Sequence, residues 1–381
     1  MGLQFGVFDH IEPIANQLLG QVYNDRLRHV ERFDTEGFYA YHLAEHHTPA
    51  VHSLAPSQNV FLSSAAQRTS QIRLCPTVYV LPLHHPLRLI EEICMLDHLS
   101  DGRLEIGVGR GGVLEAYFWG SDSDTNGNYA KYVETLDILR LGLSSDLLTY
   151  AGDYYSFDDL PMRLTPLQSP YPPLWYMRNV EIAAKEGMNS IIVDTLDGFD
   201  ANVQRYRQLW ETHQGPGFKT LQGDEPKIGL VSHLVLADTD DAAIEAATPA
   251  WENYLWNLTT PRRLEAERRG LTQFTTGLTG GIDRPDGLPD REASSEFQVS
   301  NGGEREKRLR HIESPIGVRH ERSSGFRVMA GTPKTICHYL DEYVETGANY
   351  FICAFHFGNM DSSVAERSID LFIREVMPLY T

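Results

Sequence analysis

Positive charge is in short supply. Lysine and arginine number 33 against 52 aspartates and glutamates among 381 residues, a formal charge of −19 at pH 7. A surface of that sign repels phosphate backbones and anionic lipid, which argues against nucleic-acid binding and electrostatic membrane docking. Cysteine is scarce as well. Cys75, Cys94, Cys337 and Cys353 form no C-x-x-C pair, so neither a disulfide framework nor a clustered zinc site is expected. They read as reduced thiols of a cytoplasmic protein. No window approaches the roughly 18 uninterrupted apolar residues of a membrane span. The start, Met1 to His10, lacks the basic segment and apolar run of a signal peptide.

What is present is a chain with a core to build. Glycine (31) and proline (20) are too few for low complexity, and 10% aromatic residues argue against disorder. Short apolar or β-branched runs, Leu3 to Phe8, Phe38 to Ala44, Ile72 to Val80, Leu104 to Val108, Leu174 to Met177, Ser190 to Asp194, Ile228 to Ala237 and Tyr350 to Phe357, read as strands. Helical spacing separates most of them. In Pro86 to Leu99, proline opens the segment and Gly102 follows it, as helix-end chemistry expects. Eight strands alternating with helices predict an α/β chain of the (β/α)8 TIM-barrel type, although a doubly wound sheet gives the same alternation. Residues 144 to 173 read as an irregular excursion. Residues of about 257 to 325 read as an insertion or mobile lid within a single domain spanning 1–381.

Three local patterns carry possible chemistry. Gly107-Val108-Gly109-Arg110-Gly111-Gly112 satisfies G-x-G-x-x-G, but no second strand with its acidic residue follows, as a dinucleotide fold requires. His42-Leu43-Ala44-Glu45-His46 matches the H-x-x-E-H zinc signature. That signature needs a helix, whereas Gly37 to Tyr41 reads as a strand, on which the two histidines stand about 13 Å apart. No metal is therefore expected. The pair His84-His85 means little alone. Yet Glu45-His46, Thr77-Val78, His84-His85 and Gly109-Arg110 all fall at carboxyl ends of predicted strands, where a barrel holds its active site.

These residues also carry a resemblance. Leu43 to His47, Val80 to Arg88 and Leu96 to Gly111, with Phe5 to Phe8, Gly331-Thr332-Pro333 and Glu375 to Pro378, make the chain similar to the bacterial luciferase-like family of flavin-dependent monooxygenases. The likeness is dense through residues 1 to 142, returns from 326 to 381 and is thin between. It implies a barrel that binds reduced FMN, delivered by a separate NAD(P)H:flavin reductase, and uses O2 to oxygenate a small organic substrate, in a homodimer. By position it implies a catalytic His46, with Glu45 beside the flavin and a cis Thr77–Val78 peptide against its ring. Arg110 corresponds to the arginine that pairs with the flavin phosphate, and Trp251 to an aromatic near the ring.

Physical chemistry supports these roles. A phosphate dianion suits a bidentate guanidinium, and an imidazole titrates near neutrality and can move protons. Two departures stand out. The segment Pro173 to Glu181 lacks the serine-rich stretch that holds phosphate in the family, so Arg178 and Asn179 would have to substitute. Gly109 stands where luciferase itself has a reactive cysteine, which argues against light emission. The shortened segment keeps one alternative open, a relative that has lost catalysis or flavin binding. A deazaflavin-dependent oxidoreductase on the same barrel is another, against which the Glu45-His46-His47 signature favours FMN.

Overall fold

The computed structural model describes residues 2–14, 17–48, 51–120, 125–192, 196–213, 224–271 and 327–381. The apolar runs become β1 (Gln4–Asp9), β2 (Ala40–Leu43), β3 (Arg73–Pro76), β4 (Tyr79–Val80) and β5 (Ile106–Gly109). A hairpin of β6 (Leu147–Ala151) and β7 (Ser156–Pro161) follows. The series continues with β8 (Leu174–Met177), β9 (Asn189–Ile191), β10 (Ile228–Leu236), β11 (Arg327–Gly331) and β12 (Tyr350–Ala354). The hairpin apart, the strands join in the order β3-β2-β1-β12-β10-β9-β8-β5-β4, all in parallel.

The two ends of this path, β3 and β4, are consecutive in the chain, parted only by Thr77 and Val78. Leu74 of β3 also bridges Leu104, just before β5. The sheet therefore closes on itself. β3 and β4 fill one of eight positions, and the fold is the (β/α)8 barrel. β11 lies off the ring, against the second half of β10.

Burial on both faces explains why these strands are continuously apolar rather than alternating. Phe8, Cys75, Trp175, Ile191, Val231, Tyr350 and Ile352 form an inner cluster. A second and larger one, including Phe5, Leu43, Leu74, Ile106 and Phe351, packs sheet against helices. Each such large side chain contributes about 1.5–3 kcal/mol relative to exposure. Low in the barrel, buried Glu105 pairs with Arg73 Nε at 2.5 Å and accepts hydrogen bonds from the Tyr39 hydroxyl and the Trp175 indole N–H.

Three expectations change. The run Ile72 to Val80 is not one strand, because it breaks at Thr77–Val78. The excursion at 144–173 contains the β6–β7 hairpin. Its turn is organised by Glu134, whose carboxylate accepts the N–H groups of Asp153, Tyr154 and Tyr155 at 2.7 to 3.2 Å. The insertion does not begin at 257, since the helix Asp240–Arg268 runs through that point. Residues 272–325 of the expected lid lie outside the described residues. No described helix is long and apolar enough to cross a membrane. The helices used below are numbered in chain order, with α3 at Pro86–Leu99, α4 at Val113–Phe118, α5 at Thr125–Ser144, α6 at Val180–Glu186 and α8 at Asp240–Arg268.

Candidate active site

The carboxyl ends of the strands converge on a histidine-rich mouth. At the end of β1, Asp9 pairs with Arg26 (2.9 Å), accepts the Tyr41 hydroxyl (2.9 Å) and accepts the Ile11 N–H (2.6 Å). That last bond holds Ile11 at φ +52°, a conformation β-branched residues avoid. The turn brings His10 against two further imidazoles: its ring centroid lies 5.4 Å from that of His46 and 5.1 Å from that of His52. His46 and His52 are 4.2 Å apart. Burial drives the pKa of His10 and of His52 well below the usual histidine value, and the positive charge of Arg262 adds to the effect.

One ring nitrogen from each of the three lies within 4.8 Å of the others, close enough to suggest a metal. Arg262, half-buried beside them, opposes any cation placed there. The H-x-x-E-H pair cannot ligate a metal either, because both ring nitrogens of His42 are used. His42 sits inside the barrel with Nδ1 at 2.9 Å from Thr77 Oγ1 and Nε2 at 2.7 Å from the Tyr350 hydroxyl, and burial lowers its pKa to about 3. Because the Thr77 hydroxyl donates to the Cys75 carbonyl (3.1 Å), Nδ1 of His42 donates to Thr77.

His46 differs from its two neighbours. Its Nδ1 lies 3.5 Å from Oε1 of Glu115 on α4, and the same carboxylate oxygen lies 3.7 Å from Nη1 of Arg262 on α8. Burial works against ionisation of Glu115, but His46, Arg262 and the His47 backbone N–H hold its carboxyl below the usual range.

Glu45 faces elsewhere. Its carboxylate is buried beneath β4, where one oxygen meets His47 Nε2 (2.7 Å), the other accepts the Val80 N–H (3.0 Å), and His84 Nε2 lies 3.0 Å from both. Burial resists the charge, yet these bonds bring the carboxyl down to about 2, and the reciprocal charge raises His84. Both oxygens are thus occupied. Glu45 supports the strand behind the Thr77–Val78 step rather than offering an atom to the mouth. The Thr77–Val78 bond is cis, the conformation the resemblance implied. Val78 is half-buried, and its methyl group lies where a Cβ on Gly109 would stand, 2.5 Å away, so glycine is required opposite it.

Arg110 and Arg178 leave adjacent strands side by side. Val108 pairs with Tyr176, and each arginine follows two residues later. Neither guanidinium has a carboxylate partner among the described residues. Asn179 does not reach outward. Its side-chain oxygen caps α6, accepting the Glu181 and Ile182 N–H groups at 3.1 Å each. Trp251 lies in an aromatic cluster of α8, stacked on Tyr254 at 5.2 Å and 5.1 Å from His233. Tyr254 in turn is 5.7 Å from His10, which ties this cluster to the histidines.

α8 carries Pro249 and Pro261. Lacking an N–H, Pro261 leaves the Asn257 carbonyl without its helical donor, and that carbonyl interacts with His52. The Asn257 side chain reaches Glu12 (3.4 Å), which also accepts the Gly358 N–H (3.0 Å). Burial raises the Glu12 carboxyl to about 8 against these bonds. Gly358 (φ +60°) passes so close to α8 that a Cβ would stand 2.0 Å from the Ala250 carbonyl oxygen.

Sequence reasoning missed His10, His52, Glu115, Arg262 and Tyr254. His10 was within reach, standing at the carboxyl end of the first strand. Glu115 and Arg262 carried no local signal, because tertiary packing alone brings them to His46.

The chain has recognisable relatives. Residues 3–350 match the sequence profile of the luciferase-like monooxygenases, and the chain belongs to that family. It is 35% identical over 364 residues (94% of this chain, 92% of the other) to an uncharacterized protein, y4wF, of Sinorhizobium fredii (strain NBRC 101917 / NGR234). It is 28% identical over 254 residues (64% and 68%) to the oxygenase component of a flavin-dependent trigonelline monooxygenase from Acinetobacter baylyi (strain ATCC 33305 / BD413 / ADP1). Among solved folds, the FMN complex of the oxygenating constituent of 3,6-diketocamphane monooxygenase from Pseudomonas putida matches with TM-score 0.68 and 17% identity (100% and 99% covered). An F420-dependent secondary alcohol dehydrogenase matches with TM-score 0.65 and 15% identity, over the whole of both chains. The same fold thus hosts enzymes that use either cofactor.

Proposed function

We propose that this chain is the oxygenase component of a two-component monooxygenase that takes reduced FMN from a separate NAD(P)H:flavin reductase and oxygenates a small, mainly apolar organic substrate. The observation that carries the reading is the arginine pair. Two guanidinium groups at adjacent strand ends, unmatched by any described carboxylate in a chain of charge −19, suit the phosphate of a bound mononucleotide. The trigonelline relative is itself an oxygenase component of a flavin-dependent enzyme, and the 3,6-diketocamphane enzyme holds FMN.

When bound, reduced FMN supplies the electrons that activate O2 for transfer of one oxygen atom to the substrate. The chain's own residues do the rest. Arg110 and Arg178 hold the phosphate. The Thr77–Val78 step, backed by His42, Gln58 and Glu45, gives the ring a fixed support: Gln58 Nε2 donates to the Leu43 carbonyl (2.7 Å) and the Val78 carbonyl (3.4 Å). Trp251, Tyr254 and His233 keep water from the mouth. His46 moves the proton that oxygen transfer requires. Asn179 acts only by capping α6. We assign the working unit to a homodimer, as the resemblance implies.

The test is anaerobic titration of the purified chain with reduced FMN and, in parallel, with a reduced deazaflavin. Micromolar binding of FMN and weaker binding of the deazaflavin are expected. The reverse order assigns the barrel to deazaflavin chemistry, and no binding of either removes the reading.

A further inference from the structure

We propose that Glu115 is a positioning residue that keeps the proton of neutral His46 on Nδ1, leaving Nε2 as the nitrogen that exchanges protons at the mouth. The proposal rests on the reading of His46 given above and deepens it. Three imidazoles crowd together here, and the surroundings treat them unequally. His10 and His52 are fully enclosed, face the guanidinium of Arg262 and have no carboxylate at ion-pair distance among the described residues. His46 alone has one, with Nδ1 3.5 Å from Glu115 Oε1.

An ionised carboxylate accepts hydrogen bonds and cannot donate them, so the facing ring nitrogen is the one that carries hydrogen. The separation exceeds a formed hydrogen bond by a few tenths of an ångström, as catalytic contacts often do before substrate arrives. The same logic orients histidines that work beside a buried acid in hydrolases, where the acid selects the tautomer.

Glu115 is itself held from two sides. The His47 backbone N–H points at it, and Arg262 stands 3.7 Å away. Arg262 is fixed in turn to its own helix, donating from Nε to the Leu258 carbonyl at 3.2 Å and from Nη2 to the same oxygen. The carboxylate therefore stays charged in a buried place, and α8 contributes the charge that keeps it so. Besides Glu115, the titratable groups against His46 are His10 after β1 and His52 after β2. Behind them, Tyr254 on α8 and His233 on β10 face His10, and Arg262 on α8 faces Glu115.

The experiment uses the full chain without flavin, labelled with 15N-histidine, at a pH where His46 is neutral. Nitrogen chemical shifts then report which ring nitrogen bears hydrogen. The wild-type chain is expected to show His46 mainly as the Nδ1–H tautomer. In Glu115→Ala the Nε2–H form should predominate, since free imidazole side chains favour it. Glu115→Gln keeps a carbonyl acceptor and the side-chain volume, guarding against a folding defect, and should lie between the two. An Nε2–H tautomer in the wild type, or the same tautomer ratio in all three chains, overturns the proposal.

A kinetic arm separates this from the reading beneath it. With a turnover substrate, Glu115→Ala should lower kcat about 100-fold while reduced-FMN affinity stays within about twofold. If the tautomer shifts as expected but His46→Ala turns over normally, the positioning stands and His46 loses its role in proton transfer.

Discussion

The two ends of this barrel treat charge differently. At the floor, Glu105 meets Arg73, Tyr39 and Trp175, and the carboxylate is fully used by partners from the barrel itself. At the mouth, Arg110 and Arg178 lack carboxylate partners among the described residues, and Glu115 stands at 3.5 Å and 3.7 Å from groups that a true hydrogen bond would bring closer. Glu115 is buried, and a buried polar group without formed hydrogen bonds costs free energy, so it persists where a ligand or a moving proton completes it. Arg110, by contrast, is half-buried and Arg178 exposed. Complete networks hold the barrel. Incomplete ones gather at the mouth, where the proposed chemistry lies.

Glu45 separates completeness from location, since it lies near the mouth yet has every oxygen occupied. Glu45→Gln should lower unfolding free energy by about 3 kcal/mol, measured by denaturant at pH 7. The sign of its pH dependence follows from a carboxyl lowered from 4.5 to about 2 on folding. The stabilisation is fully present above pH 4.5 and fades as pH falls toward 2, so wild type and variant should converge in acid. A difference that does not shrink there would mean that shape, not charge, holds the site.

Arg110→Ala tests the incomplete end. It should weaken reduced FMN by about 100-fold, the loss of two charge-assisted hydrogen bonds, and leave reduced riboflavin, which has no phosphate, within about twofold. An equal loss for both flavins would place Arg110 with the structural networks. Glu105→Gln is the counterpart at the floor. A fall in stability of about 2 kcal/mol is expected in denaturant titration, with reduced-FMN affinity per folded molecule unchanged.

The smallest effect concerns Glu12, raised to about 8 chiefly by burial. An acid whose pKa rises on folding contributes stability below its unfolded value of 4.5 and loses it as pH climbs toward 8. Wild-type stability should therefore drop by about 1 kcal/mol between pH 6 and 7 relative to Glu12→Gln. Parallel curves would show that Glu12 is ionised in the folded chain.

The barrel was legible because its signal is local and repeated. Runs such as Leu174 to Met177 are too short and too apolar to be anything but buried strands, and Pro86 with Gly102 fixed α3 at both ends. The break at Thr77–Val78 was not legible in periodicity, since both residues are β-branched and suit a strand. The resemblance alone pointed to it. The hairpin at 147–161 escaped notice because its turn is organised from outside, by Glu134 of α5. At the mouth, sequence order revealed the residues that end strands, such as His46 and Arg110. It concealed those delivered by packing, such as Glu115 and Arg262. For Glu45 the motif gave no sign that its neighbours His47 and His84 claim both its oxygens.

Pro261 links the longest described helix to the chemistry beneath it. A proline ring inside a helix is usually counted as a defect. Here the carbonyl it frees, at Asn257, is the one that faces His52, so the helix gives up one rung of its own ladder and offers the oxygen to a loop across the barrel mouth. Any tilt of α8 therefore reaches the histidines through backbone, and through Arg262 by charge. Replacing Pro261 with alanine would restore the rung at the Asn257 carbonyl and make the helix more regular where it passes His52.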